Sequence, residues 1–309
     1  MNRESDLTQS RELDAAYSIC RAIAKREAKN FYYAFLALPA PRKNAICAIY
    51  AFMRKADDLA DDESLPHAER RRRLDSWLSA WHDANTTGAT ADPVFIAVRD
   101  ATQRFNIPLA LLDELVAGTT MDLKAATGSA PDTYATFADL YQYCYLVASV
   151  VGLVCIRIFG YTDPSAEKLA EETGIAFQLT NILRDVEEDA ARNRVYLPIE
   201  NLADHNIALE SLLHRPRGVP PTPNERALLA EIATRAETYY RSAEALLPLI
   251  HRESRPALWV LVSIYHALLR RIERANYDVF SKRASVPLRQ KLAILSLGMV
   301  RVAAARLFG

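Results

Sequence analysis

Glycine is scarce. Nine in 309 residues are too few for an architecture of many tight turns, which argues against a loop-rich β fold. No segment sustains a two-residue alternation of apolar and polar side chains. Neither sign of charge is in excess, since Lys plus Arg and Asp plus Glu each number 38. No global field therefore recruits nucleic acid or an anionic membrane, and any recruitment must be local. The four cysteines, Cys20, Cys47, Cys144 and Cys155, form no CxxC pair and have no histidine at ligand spacing. They read as reduced core residues of a cytoplasmic protein.

Other absences remove whole classes. The opening MNRESDLTQSRELD lacks the apolar run of a secretory signal, so export is not expected. The longest uncharged run, 140–156, contains Tyr141, Gln142, Tyr143, Tyr145 and Ser149 and stops at Arg157. A spanning helix wants about 20 mostly apolar residues, so this run is expected as a buried core helix, and membrane contact as peripheral at most. No GxGxxG follows a strand. No Glu-x-x-His pair occurs, which removes a di-iron carboxylate bundle, and no repeat of 20–50 residues suggests a solenoid.

What is present is three-to-four periodicity almost throughout. It predicts an all-α protein of about ten helices, read as one domain over 1–309. The first helix is expected over 10–29, with Leu13, Tyr17, Cys20 and Ile23 facing inward. Pro39 and Pro41 break the chain before a second helix that ends near Asp62. After Pro66 a third helix puts Leu74, Trp77, Leu78 and Trp81 on one face and the run 70–73 on the other. That basic run reads as a solvated face, with a phosphate patch as the alternative. Asp92-Pro93 and Asp163-Pro164 read as helix starts. A helix over 133–159 carries the small residues Ala148, Ser149 and Gly152, which permit either close packing or room for a ligand. The stretch HRPRGVPPTP, 214–223, is the only candidate linker, and composition does not change across it. Helices are expected over 224–251, 256–276 and 287–307.

Two polar stripes interrupt the apolar pattern. Gln178, Asn181, Asp185 and Asp189 are spaced by three, four and four residues, which sets them on one helical face. Their neighbours Ile175, Phe177, Leu179, Ile182, Leu183 and Val186 are apolar. About 125 residues earlier, Tyr50, Arg54, Asp57 and Asp61 repeat the arrangement at spacings of four, three and four. One acidic stripe is ordinarily a solvated face. Two, each with amide, phenol or guanidinium groups beside the acids, suit inward-facing carboxylates that need a cation. Oxygen donors of this kind select hard divalent ions such as magnesium, which complete their octahedron with water and substrate phosphate.

These residues resemble the squalene and phytoene synthase family of head-to-head prenyl transferases, from about Tyr17 to about Arg283. The family's two aspartate-rich motifs are matched by Asp57-Asp58-Leu59-Ala60-Asp61 and by Asp185-Val186-Glu187-Glu188-Asp189. Lys29-Asn30-Phe31, the run from Tyr143 to Ala148, and Arg194-Val195-Tyr196-Leu197-Pro198 add to the likeness. The stretch after Tyr277 is only loosely similar, so Lys282 and Arg283 carry over weakly.

The resemblance implies an isoprenoid-synthase-like helical bundle around a central cavity, binding prenyl diphosphates. Asp57, Asp61, Asp185 and Asp189 would hold magnesium, or alternatively manganese, with Asn181 and Gln178 extending the metal and diphosphate shell. Arg54 and Lys29 would contact diphosphate oxygens. Tyr143 falls where the family places a tyrosine near the reacting carbons, and Tyr277 joins the substrate-binding set. Phe31, Phe35, Tyr50 and Tyr143 would supply electron-rich walls for a carbocation, the alternative being plain core packing. NADPH use is left open, as is oligomeric state.

The flanks of the first motif look closest to bacterial enzymes that join two farnesyl diphosphates into presqualene diphosphate. A thirty-carbon product is therefore expected, continuing to squalene or dehydrosqualene, with phytoene synthase as the alternative. In that reading Cys47 and Phe35 lie where the farnesyl tail ends. Asp57 to Cys47 spans roughly 15 Å of helix, and Phe35 acts as a floor. A terpene cyclase or diphosphate hydrolase would share the metal logic, and a non-catalytic helical scaffold of the same superfamily would be expected to have lost its aspartates. The location expected is cytoplasmic, at most peripheral to the inner face of a membrane.

Overall fold

The computed structural model describes residues 3–28, 32, 34–125 and 131–307, with side chains described for 8–28, 32, 34–121 and 131–301. The expected all-α class is what the chain adopts, with thirteen α-helices among the described residues. Helix α1 (Arg3–Glu27) begins seven residues before the expected start, because nothing in the polar N-terminal stretch breaks it. Helix α2 (Ala40–Ala60) follows Pro39, with Pro41 in its first turn, where a missing N–H costs nothing. Its buried Ala45, Cys47, Ala48 and Ala51 are small enough to let α1 lie close.

Helix α3 (His67–Thr87) ends on Gly88 at φ 77, the left-handed cap that glycine adopts without penalty. Its basic run is a solvated face. Arg72 and Arg73 donate to Glu69 at 2.8 Å each, and Arg71 donates to Asp75 at 3.0 Å. Arg70 instead reaches the Ala60 carbonyl at 2.9 Å, capping the end of α2. Helix α4 (Pro93–Phe105) starts as expected, with Asp92 accepting from the Val94 N–H at 2.8 Å. Phe52, Trp77, Trp81 and Phe95 pack ring to ring where α2, α3 and α4 meet. Helix α5 (Leu109–Ala125) follows.

The expected helix over 133–159 is subdivided. Asp132–Thr133 forms a two-residue strand, β1, parallel to β2 (Arg194–Val195), where the periodicity predicted no strand. Helix α6 (Phe137–Cys144) starts at a capping box in which Thr136 and Asp139 satisfy each other's N–H groups. A π-helical turn (Tyr145–Ser149) leads into α7 (Val150–Phe159). The run Phe137–Phe159 is long and apolar enough to cross a membrane. It lies instead against α5 and the central α8 (Ser165–Ala190), with Leu140, Cys144, Val150 and Val154 fully buried.

The small residues here serve close packing. A Cβ on Gly174 of α8 would sit 2.5 Å from the Ser149 Cα and 2.7 Å from its nitrogen, and one on Gly152 would sit 2.9 Å from the Ala170 carbonyl oxygen. Backbone meets backbone along this seam, and the room-for-a-ligand alternative lapses.

After β2 come α9 (Ile199–Asp204), α10 (Leu209–Leu213) and α11 (Pro223–Leu246). Helix α11 packs along α8. The proline-rich stretch between α10 and α11 is tied down. Arg215 pairs with the buried Glu225, donates to the Val219 and Pro220 carbonyls at 3.1 and 2.8 Å, and lies 4.0 Å over the Phe280 ring. Helix α12 (Arg255–Arg274) presents one apolar face to the core. Asn276 and Tyr277, both at positive φ, then turn the chain, and α13 (Leu288–Leu307) packs back on α12.

Candidate active site

The first stripe lies on α2. Tyr50 is half-buried and meets Phe35 edge to face at 6.4 Å, and Phe35 meets Tyr32 in the same way at 6.5 Å. Burial raises the Tyr50 phenol, and the Arg54 charge offsets part of that rise. Arg54 pairs one turn on with Asp58 at 2.5 Å, at the motif's second aspartate. Asp57 accepts from Thr119 Oγ1 of α5 at 3.1 Å. Asp61 is exposed, and its N–H closes the last turn on the Asp57 carbonyl at 2.8 Å. Lys29 and Phe31 lie outside the described residues.

The second stripe runs along α8. Asn181 Nδ2 donates to Gln178 Oε1 at 3.3 Å, while its Oδ1 is buried with no hydrogen-bond partner among the described residues. The Tyr265 phenol of α12 lies beside this amide. Burial pushes it up to about 12, and the Arg184 charge and the amide offset part of the shift.

Asp185 carries two guanidinium groups. Arg184 Nε donates to its Oδ1 at 2.7 Å and Arg184 Nη2 to its Oδ2. Arg283, from the loop before α13, places Nε and Nη2 on the same Oδ1 at 2.9 and 2.7 Å. Burial alone would raise this carboxyl, but the arginines outweigh burial and hold it below its ordinary value.

One turn later the sign reverses. Burial, helped by the Asp185 charge, pushes Asp189 up to about 7, with Arg192 and Arg194 offsetting only part. Asp189 opens on a small crevice lined also by Ile182, Val186, Arg194, Tyr196 and Leu212.

Tyr143 is buried in a tyrosine cluster, stacked on Tyr196 at 4.9 Å and tilted against Tyr134 at 5.4 Å, beside the β1–β2 pair. Tyr277 is half-buried, which raises its phenol.

The structure thus brings Gln178, Asn181, Asp185 and Asp189 together, and separately Tyr50, Arg54, Asp57 and Asp58. Among the described residues no three Asp, Glu, His or Cys side chains converge on one point. The second stripe nonetheless fits a hard divalent cation. Its donors are all oxygens, and a buried amide oxygen without a partner is a group that native proteins normally satisfy.

Sequence reasoning missed Arg184, Thr119 and Tyr265. Arg184 adjoins Asp185 and so falls about 100° off the stripe, while Thr119 and Tyr265 come from other helices and carry no local signal. Cys47, which the sequence reading sets at the end of the farnesyl tail, is fully buried and close to Cys20 of α1, and burial pushes its thiol up to about 11.

The family model for squalene/phytoene synthase matches residues 24–290. A 15-cis-phytoene synthase from Synechococcus elongatus is 36% identical over 305 residues, covering 94% of both chains. A phytoene synthase from Mycobacterium tuberculosis is 34% identical, covering 89% of this chain and 87% of its own. Among solved structures, a dehydrosqualene synthase in complex with ligand aligns at a TM-score of 0.81 with 29% identity, covering 96% of this chain and 99% of its own. A squalene synthase from Alicyclobacillus acidocaldarius aligns at 0.77 with 25% identity, covering 86% and 96%. Family match, near-full-length relatives and fold agree: the chain belongs to the squalene/phytoene synthase family of head-to-head prenyl transferases.

Proposed function

We propose that this protein joins two molecules of geranylgeranyl diphosphate head to head and carries the product on to phytoene. The observation that carries the reading is the shared name of relatives 33–36% identical over more than nine-tenths of the chain, all called phytoene synthases. It puts the geranylgeranyl reading ahead of the farnesyl expectation. Joining two farnesyl diphosphates remains the second reading, favoured by the dehydrosqualene and squalene synthase structures that match the fold.

In either reading the first step is loss of diphosphate from an allylic carbon. Magnesium, when bound, neutralises the charge that develops on the leaving group. Asp57, Asp61, Asp185, Asp189 and Asn181 are the residues we assign to hold it, the last with an amide oxygen that has no hydrogen-bond partner among the described residues. Arg54 and Lys29 face the diphosphate oxygens in this assignment, with Gln178 and Tyr277 beside them. Phe35 and Tyr50 form a dry aromatic wall that stabilises a carbocation without offering it a nucleophile. Tyr143, clamped between two other rings, holds one orientation toward the reacting carbons. The double bond of the second substrate attacks the cation, and ionisation and rearrangement of the cyclopropyl intermediate end with loss of a proton. The phytoene reading calls for no NADPH.

The contiguous apolar core, which runs from Ala16 to Val286, supports one domain. Helix α13 supports a peripheral membrane contact from a cytoplasmic location. Leu288, Leu292, Leu297, Met299 and Val300 are exposed on it, and Arg289, Lys291 and Arg301 are its charges over 288–301, with no acid among them.

The test is to supply farnesyl and geranylgeranyl diphosphate at equal concentration with magnesium and analyse the extracted hydrocarbons. A forty-carbon product is expected. A dominant thirty-carbon product supports the second reading, and neither product overturns both.

A further inference from the structure

Both carboxylate oxygens of Asp185 are already engaged, Oδ2 by Arg184 and Oδ1 by Arg184 and Arg283. A divalent cation that uses this carboxylate competes with these guanidinium groups for it, most directly at Oδ1, where both arginines converge. Arg184 is poorly placed to leave. Its side chain is 18% exposed on the same helix as its partner, and moving it would strand a buried cation beside Tyr265.

Arg283 is placed to leave. Its side chain is 52% exposed, and Nε also lies 3.2 Å from Glu188, itself 46% exposed. Asp185 and Glu188 are three residues apart on one helix and so face the same way. A guanidinium that releases Asp185 keeps Glu188, so its charge is never uncompensated.

The root of its loop is fixed. Phe280 is buried beneath the Arg215 guanidinium, and Ser281 Oγ donates to the Gly218 carbonyl at 3.4 Å. Only the arm beyond Ser281 needs to move.

We propose that Arg283 is a built-in counter-cation for the second acidic stripe: it holds Asp185 until a divalent cation displaces it toward Glu188, and so sets the cation concentration at which the stripe loads. The proposal rests on Asp185 being a cation ligand, as assigned above, and adds a competitor for that ligand. The guanidinium is half-exposed and the carboxylate is only 16% exposed, so the pair is stronger than one wholly at the surface and weaker than one fully buried.

The experiment is a manganese titration of the full chain without diphosphate, with free Mn²⁺ read by electron paramagnetic resonance. Wild type, Arg283→Gln, Asp185→Asn and the double variant are compared. Arg283→Gln is expected to tighten manganese binding by about two- to tenfold, the scale of one partly exposed ion pair. Asp185→Asn is expected to weaken it by about tenfold or more, the scale of removing a charged ligand, and Arg283→Gln is expected to change nothing further in that background. If Asp185→Asn weakens binding while Arg283→Gln leaves it unchanged or weaker, Arg283 is no competitor and the proposal is overturned while the ligand assignment stands. If Asp185→Asn binds as wild type does, the ligand assignment is overturned and the proposal with it.

Discussion

Asp185 and Asp189 lie one helical turn apart, yet their environments push them in opposite directions, and this has a thermodynamic signature independent of turnover. Burial raises Asp189 to about 7 from an ordinary 3.8. Between those values the folded protein holds a proton that the unfolded chain has released. Stability therefore falls as pH rises from about 4 to about 7 and stays lower above that. Each pKa unit corresponds to about 1.36 kcal/mol, so in a dry interior the cost would approach about 4 kcal/mol. The carboxyl opens on a cleft and has Arg192 and Arg194 nearby, and discounting for that screening leaves about 1–2 kcal/mol.

Asp189→Asn removes the cost while keeping the shape. The variant should melt about 2–6 °C above wild type at pH 8 in a chelating buffer, at about 2–4 °C per kcal/mol or less for a chain of this size. The gain should shrink steadily toward pH 5. Asp185→Asn should do the opposite. Its carboxylate is held below the ordinary value by Arg184 and Arg283 against its own burial. Its contribution is therefore present above the unfolded value and lost only as pH falls through the folded one, and the variant should melt below wild type throughout pH 5–8. Thermal melts by circular dichroism at several pH values, with magnesium absent, read both. An Asp189→Asn protein that melts below wild type at pH 8, or whose difference from wild type does not change with pH, would refute the reasoning.

Three further outcomes are expected. Turnover should vanish in a chelator and return with magnesium or manganese, and Asp57→Asn and Asp185→Asn should each lose about a hundredfold or more in kcat, the scale of a lost charge-stabilising group; full activity in the chelator would remove the metal assignment. Gly174→Ala should cost about 3 kcal/mol or more in urea unfolding, because its Cβ would meet only backbone atoms of Ala148 and Ser149, at 2.5–2.8 Å; a loss below about 0.5 kcal/mol would mean the seam is looser than described. Vesicles rich in anionic lipid should retain the protein in co-sedimentation, and Leu292→Glu with Leu297→Glu should release it without changing the melting temperature, since both side chains are exposed; equal retention of the double variant would exclude α13 as the contact.

The helical class was legible because its signals are local. Periodicity, Pro39, Pro41 and the Asp92-Pro93 cap act within a turn or two of where they are read. The two-residue pairing of β1 with β2 was not, since it joins segments some sixty residues apart, and Thr136 moved the start of α6 by taking the cap four residues into the expected helix. The same division runs through the site. Gln178, Asn181, Asp185 and Asp189 could be grouped from spacing alone, because one helix carries all four.

What spacing could not supply is how each stripe residue is partnered. Asp185 and Asp189 look equivalent in a stripe and both are half-buried, and the difference between them comes from Arg184 and Arg283, which hydrogen-bond to Asp185 and not to Asp189. Arg283 is the sharper case. It sits 98 residues downstream of the carboxylate it holds, and reaches Asp185 where two successive left-handed residues, Asn276 and Tyr277, turn the chain and Phe280 anchors the loop on Arg215. Left-handed backbone at asparagine is common and at tyrosine is not, so the Asn276-Tyr277 pair is where the sequence departs from local preference. A departure of that kind is held by its surroundings, and what surrounds it is the loop that delivers a cation to the acidic stripe.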